Sequence, residues 1–291
     1  MSVEGVKMTV LVTGGGGQLG QELAHLKSSG VRLIALNREQ LDITDAEQCR
    51  EVISHHRPNA VIHAAAYTAV DRAETEPEAA WKINVEGTRN VAEASESVGA
   101  KLTYVSTDYV FNGTAVRPYA EYDTTSPRTV YGKTKLEGEK VASAIHSKLF
   151  ITRTSWVYGR YGNNFVKTML QLGAQGRELS VVADQIGSPT YTYDLATFLL
   201  ELTKSDRYGT YHATGSGKCS WYEFAQAIFE EAGMHEVNVS PCTTEQYPRP
   251  ASRPAYSVLG NDALIAAGLQ PLRHWRDALK HFMEREREER G

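Results

Sequence analysis

Residues 8–20 read MTVLVTGGGGQLG: a short β-branched apolar run, then glycines, then the opening of an amphipathic segment near 18–29. A strand that turns through glycine directly into a helix brings unpaired helix N–H groups and a positive dipole end to one point, which suits a phosphate. Gly14, Gly17 and Gly20 then permit a tight turn, close backbone approach to a pyrophosphate, and close helix–sheet packing. Gln18 and Leu19 lie among them at the helix start. A strand before and a helix after are the context that separates a dinucleotide-binding loop from a plain glycine-rich turn.

The next apolar run, VRLIAL at 31–36, ends at Asn37 and Arg38. An NAD site usually carries Asp or Glu there to accept the ribose hydroxyls. A neutral side chain followed by a guanidinium accommodates a 2′-phosphate, so NADPH is the expected cofactor, with NADH as the alternative. Arg38 otherwise reads as a solvent-facing charge. Asp42, beside Ile43 in LDITD, is placed either to accept from an adenine amino group or to cap the next helix. Ala64, Ala65 and Ala66 end the third run with little side-chain bulk, which lets a cofactor lie against backbone; tight core packing is the bland reading.

Further runs at 60–65, 101–106 and 149–153 alternate with helical patterns at about 44–56, 76–98 and 129–146. Ala80, Val85, Val91 and Ala94 form the apolar stripe of the longest helical pattern. This is the rhythm of an α/β protein with a Rossmann-type doubly wound parallel sheet. Residues 1–156 are expected to form the cofactor domain, with return segments near 190–214, and 157–291 a smaller, interleaved substrate-binding domain. In that second part, helices are expected near 163–175, 192–203 and 220–233, and strands at LSVVA and GTYHAT. The segment 240–258 holds four of the ten prolines and reads as extended chain. From 274 to the end a charged amphipathic helix is expected, with Trp275, Leu279 and Phe282 on one face.

The chain has 291 residues and a formal charge of −4, with no basic excess to neutralise nucleic-acid phosphates or anionic lipid. Three scattered cysteines without metal-ligand spacing point to a reducing compartment. No apolar run approaches the length of a membrane span, and the N-terminus lacks a signal-peptide pattern. A cytoplasmic protein that binds neither nucleic acid nor membrane is expected.

Tyr131 and Lys135, in YGKTK, lie one helical turn apart and leave the same helix face. A nearby ammonium favours the phenolate and so brings a tyrosine toward acid–base work near neutral pH. The same spacing also arises among ordinary surface residues. Thr107 follows the strand KLTYVS, at the edge where open α/β sheets place ligands.

TGGGGQLG, HAAAYTAVDRAE, STDYVF, YGKTKLEGEK, RTSWVYG, GNNF and DQIGSPT, in that order from Gly14 to about Arg253, resemble the extended short-chain dehydrogenase/reductase family. The resemblance implies a nicotinamide cofactor and a nucleotide-sugar ketone, specifically NADPH-dependent reduction at C4 of dTDP-6-deoxy-L-lyxo-4-hexulose. It makes Tyr131 the proton donor, Lys135 the group that orients the cofactor ribose and lowers the tyrosine pKa, and Thr107 a hydrogen-bonding partner of substrate and phenol. Relatives that dehydrate nucleotide sugars carry an Asp-Glu pair after this threonine. Here Asp108 is followed by Tyr109, which favours simple reduction and leaves Asp108 for sugar hydroxyls. Trp156 is implied to contact the sugar nucleotide, and Arg253 either meets its diphosphate or is a surface arginine. Some members dimerise around magnesium held by glutamates, one of them in the glycine loop. Gln18 stands there instead, so no metal and a monomer or weak homodimer are expected. The rivals are another nucleotide-sugar reductase or epimerase, and a non-catalytic subunit like the regulatory subunit of methionine adenosyltransferase.

Overall fold

The computed structural model describes residues 7–176 and 178–288. Five strands in the first half, β1 (Met8–Thr13), β2 (Val31–Leu36), β3 (Ala60–His63), β4 (Lys101–Thr107) and β5 (Leu149–Thr154), join a sixth, Gly209–His212, in one sheet. The spatial order is Gly209–His212, β5, β4, β3, β1, β2, with every neighbouring pair parallel. The order reverses beside β1, and that topological switch opens a crevice at the carboxyl ends of the strands.

Alternation along the strands explains why both faces are covered. Val10, Val12, Ala60 and Ile62 point into one core, packed by Leu23 of α1 (Gln18–His25) and by Leu195, Leu199 and Leu202. Leu11, Val61 and Leu102 point into the other, packed by Ile53 of α2 (Ala46–His56) and by Val91 and Ala142. A sheet buried on both faces needs continuous apolar runs, which is how its strands read in the sequence.

Three boundaries differ from the periodicity. The first helix stops at His25, and the Ser28, Ser29 and Gly30 turn, with Gly30 at φ +73°, leads into β2. β3 ends at His63, because Ala64–Ala66 leave the sheet to line the crevice. The single helix expected over 76–98 is three pieces. After the short α3 (Val70–Ala73) come α4 (Pro77–Trp81), a π-helical turn at Lys82–Glu86, and α5 (Gly87–Ser97). α6 (Val130–Ile145) is capped by Thr129, whose hydroxyl accepts from Gly132 N–H at 3.0 Å.

The second half builds its own core from α7 (Phe165–Ala174), α9 (Trp221–Ala232) and α11 (Trp275–Glu288), with Val166, Met169, Phe224, Ile228, Leu279 and Phe282 interlocked. Between α7 and α9, helix α8 (Thr192–Thr203) returns to the large sheet, followed by its sixth strand. α10 (Asp262–Ala266) packs beside that strand. α11 is described to Glu288; the last residues of the expected terminal helix, and the N-terminal residues before Lys7, lie outside the described residues. The proline-rich segment is extended, with one short paired strand, Val239–Cys242, against Leu179–Val182. Farther on it runs between the halves, where Tyr256 N–H donates to Gly113 O of the first and Ser257 N–H to Ile186 O of the second.

Candidate active site

A cavity of about 690 Å³ lies along the crevice. Its floor is the glycine loop. Gly14 has φ +72°, and a Cβ there would sit 2.7 Å from the Ala65 backbone. At Gly20 a Cβ would meet Gly14 O at 2.1 Å. Any side chain at these two positions would push apart the strand ends that form the cradle. Gly17 is the N-cap of α1 and supplies no side-chain cap, so the first N–H groups of the helix are left for a ligand. Ala64, Ala65 and Ala66 form the wall, and Ala65 N–H donates to Thr13 Oγ1 at 3.2 Å. This backbone cradle with unclaimed helix N–H groups fits a dinucleotide pyrophosphate.

At the far end Arg38, Asp42 and Ile43 line the cavity. The Arg38 side chain is 79% exposed and its Nε stands 3.8 Å from Asp42, so it can turn toward an added phosphate. Hydrogen bonds from the Thr44 backbone and hydroxyl hold the Asp42 carboxyl below its ordinary range, against the effect of burial. Helix capping falls to Asp45, which accepts from Glu47 N–H and Gln48 N–H. Asn37 is not among the lining residues; its side chain accepts from Gln40 N–H at 3.0 Å, closing the local turn.

Toward the middle of the crevice the cavity is lined by Thr107, Asp108, Tyr131 and Lys135, all at most 9% exposed. Thr107 caps the turn after β4: its hydroxyl donates to Asp108 Oδ1 at 3.0 Å and accepts from Tyr109 N–H at 3.2 Å. Burial pushes the Tyr131 phenol up to about 12, a hydrogen bond with Thr107 lowers it, and the Asp108 charge raises it further. Lys135 makes its close contacts with β4. Its ammonium donates to Val105 O at 2.8 Å and lies 4.0 Å from the centre of the Tyr104 ring. Burial pulls that ammonium down to about 7, and Glu139 pushes it the other way. Desolvation in the closed pocket is the largest effect on the phenol and favours its protonated form.

Burial also pushes the Asp108 carboxyl up to about 6, against hydrogen bonds with Thr107 and Ser257 that lower it. Its Oδ2 is buried without a hydrogen-bond partner, an acceptor or donor left for a ligand. Trp156 sits at φ +49° with its indole stacked on Trp221, ring centres 3.5 Å apart. Asp108, Tyr109 and Trp156 border both this cavity and a second one of about 470 Å³, lined also by Phe165, Trp221, Arg249 and Arg253. Arg253 lines the second chamber and not the first, with its guanidinium 2.8 Å from Asp71 on α3. Tyr109, Trp221, Arg249 and Asp71 escaped the sequence reading. Tyr109 and Asp71 stood in quoted motifs without a role, while Trp221 begins a helix and has no local signal.

Gln18 Oε1 accepts from Asn164 Nδ2 at 3.2 Å, tying the glycine loop to the start of α7. Among the described residues, no group of three or more His, Cys, Asp or Glu side chains is gathered to hold a metal ion. No helix there is long and apolar enough to cross a membrane.

Comparison with known proteins matches residues 8–288 to the family described as RmlD substrate binding domain. The chain is 48% identical to the spore coat polysaccharide biosynthesis protein SpsK of Bacillus subtilis, over 94% of this chain and 96% of that one. It is 47% identical to a dTDP-4-dehydrorhamnose reductase of Streptomyces griseus, over 92% and 91% of the two chains. A crystal structure of dTDP-4-dehydrorhamnose reductase from Bacillus anthracis in complex with NADP superposes with a TM-score of 0.94 at 46% identity, covering 96% of this chain and 99% of that one. By sequence across nearly its whole length, and by fold, this chain belongs to the RmlD substrate binding domain family.

Proposed function

We propose that the protein is an NADPH-dependent oxidoreductase that reduces the C4 ketone of dTDP-6-deoxy-L-lyxo-4-hexulose to dTDP-L-rhamnose, a precursor for cell-surface polysaccharide. The observation that carries this reading is the convergence of Thr107, Tyr131 and Lys135 on the cavity that the glycine loop floors. The name of the Streptomyces griseus relative and the NADP in the Bacillus anthracis structure support the substrate and the cofactor.

The nicotinamide cofactor, when bound, supplies the hydride. The chain's own residues supply the rest. The glycine loop and the start of α1 hold the pyrophosphate, and Arg38 meets a 2′-phosphate. Asp42, Ile43 and the Ala64–Ala66 wall enclose the adenosine end. Tyr131, kept protonated by burial, hands its proton to the developing C4 alkoxide. The Thr107 hydroxyl, turned from Asp108, donates its one proton to the same oxygen, while Lys135 brings positive charge beside the ribose. Asp108 and Trp156 bind the sugar, and Arg253, released from Asp71, pairs with the diphosphate. The first half carries the cofactor and the second, apart from α8 and the sixth sheet strand, the sugar nucleotide. The enzyme works in the cytoplasm as a monomer or weak homodimer, apart from nucleic acid.

The test is oxidation of NADPH by purified protein given this dTDP-4-keto sugar, with NADH and Tyr131→Phe alongside. Loss of the proton donor is expected to lower kcat by about 10²–10⁴-fold with NADPH binding retained. Binding of NADPH without turnover of this or related sugar nucleotides would overturn the reading in favour of a non-catalytic subunit.

A further inference from the structure

Lys135 is a buried cation whose immediate partners are neutral: the Val105 carbonyl at 2.8 Å and the Tyr104 ring at 4.0 Å. The anion whose charge acts on it lies one helical turn on. Glu139 is only 4% exposed, and its carboxylate is held on three sides. Ser106 Oγ donates to Oε1, Arg153 Nε donates to Oε1 at 2.9 Å, and Arg153 Nη2 donates to Oε2 at 2.8 Å. Arg153 is itself fixed, donating to Glu121 O at 3.2 Å and lying over the Phe111 ring. Three consecutive residues at the end of β4 thus serve the site in turn: Val105 holds the lysine, Ser106 the glutamate, and Thr107 the phenol.

We propose that Glu139 is a positioning residue for the reaction, which acts through Lys135 by keeping its ammonium charged inside the closed pocket, with Ser106 and Arg153 fixing the carboxylate in place. A buried carboxylate bound only to Arg153 would be a structural ion pair. Here the group lies at i+4 from the lysine on the same helix face, and among the charged groups Glu139 is the one that opposes the pull of burial on Lys135. The other ionisable groups around the ammonium do not replace it. His63 on β3 is held neutral by burial, Tyr104 on β4 and Tyr131 on α6 are protonated phenols, and Asp108 acts on Tyr131. Arg153 on β5 carries the same sign as the lysine.

The inference rests on the reductase reading only for its kinetic consequence, so the primary readout needs no substrate. In the full-length chain with lysine labelled at Cε, the Lys135 signal, assigned with Lys135→Met, is titrated by NMR in wild type, Glu139→Gln and Glu139→Asp. Removing an adjacent opposite charge is expected to lower the Lys135 midpoint by about one pH unit or more, with Glu139→Asp restoring part of it. Because Lys135 must be charged, activity is lost as pH rises through its pKa, and the high-pH limb of kcat should move down by the same amount. If Glu139→Gln does not fold with Arg153 unpaired, Glu139→Gln/Arg153→Met is titrated against Arg153→Met, a pair that differs only in the Glu139 charge, and the double variant should show the lower midpoint of the two. A folded variant with an unmoved Lys135 midpoint would overturn the assignment. Failure of the wild type to reduce the nucleotide sugar, with the midpoint shifted, would overturn the function and leave Glu139 in its role.

Discussion

At the scale of single residues the site is governed by desolvation. Tyr131, Lys135 and Asp108 are all moved toward their uncharged forms by burial, the phenol up to about 12, the ammonium down to about 7 and the carboxyl up to about 6. For Asp108 the sign of the stability effect follows directly. Its folded pKa lies above the unfolded value of 3.8, so the folded state binds the extra proton, and stability falls as pH rises from about 4 through 6. The gap between the folded and unfolded values corresponds to about 3 kcal/mol lost above pH 7. Asp108→Asn is therefore expected to raise Tm of the cofactor-free protein at pH 7.5, with the gain shrinking toward zero as pH drops to about 4; thermal melts across that range check it. A gain that does not vary with pH would show that Asp108 carries no buried charge.

At the scale of elements, the interruption between α4 and α5 shows how the chain places a polar group where an unbroken helix would not. π-helical turns recur at functional sites, and this one holds Asn84, 1% exposed, against the segment that leaves β3. Its side chain accepts from Tyr67 N–H at 2.8 Å and donates to Tyr67 O and to Thr134 Oγ1; Thr134 in turn donates to Tyr131 O. Its own carbonyl accepts from the Thr88 hydroxyl at 2.7 Å, and Thr88 stands against His63, whose other ring nitrogen meets Thr13 at 2.7 Å. One polar chain thus joins the glycine-loop strand, the alanine wall and the catalytic helix. Asn84→Ala leaves the Tyr67 amide unsatisfied, and urea unfolding should show a loss of about 1–3 kcal/mol, with kcat reduced because the Thr134 hydroxyl that donates to Tyr131 O loses the amide that fixes it.

At the scale of the whole molecule, the two halves meet over the second chamber through the proline-rich segment. Asp71 on the first half holds Ala251 N–H and Arg253, with Arg249 4.0 Å away, so a carboxylate stands between the two arginines. Under the proposed reading, Arg253→Ala removes a charge-assisted contact to substrate. KM for the sugar nucleotide should rise about 10–100-fold, with NADPH binding unchanged in a fluorescence titration. An equal loss of NADPH affinity would place Arg253 with the cofactor instead.

The parallel sheet and the glycine loop were legible along the chain because both rest on local chemistry. A strand buried on both faces must be continuously apolar, and a turn between strand and helix beneath a phosphate must be glycine, so β1 was read with its observed ends. Tyr131 and Lys135 were legible because a helix makes neighbours of residues four apart. Other features depend on residues distant in sequence, and no local pattern encodes them. The Trp156–Trp221 stack joins a strand end to a helix 65 residues later, the Arg253–Asp71 pair spans 182 residues, and the partition of Asp108, Tyr109 and Trp156 between two chambers exists only once both halves have packed. The direction in which each active-site group is pushed belongs with these. Spacing placed an ammonium near a phenol, but the surrounding chain decided how much water was removed, and that removal sets the charge on both.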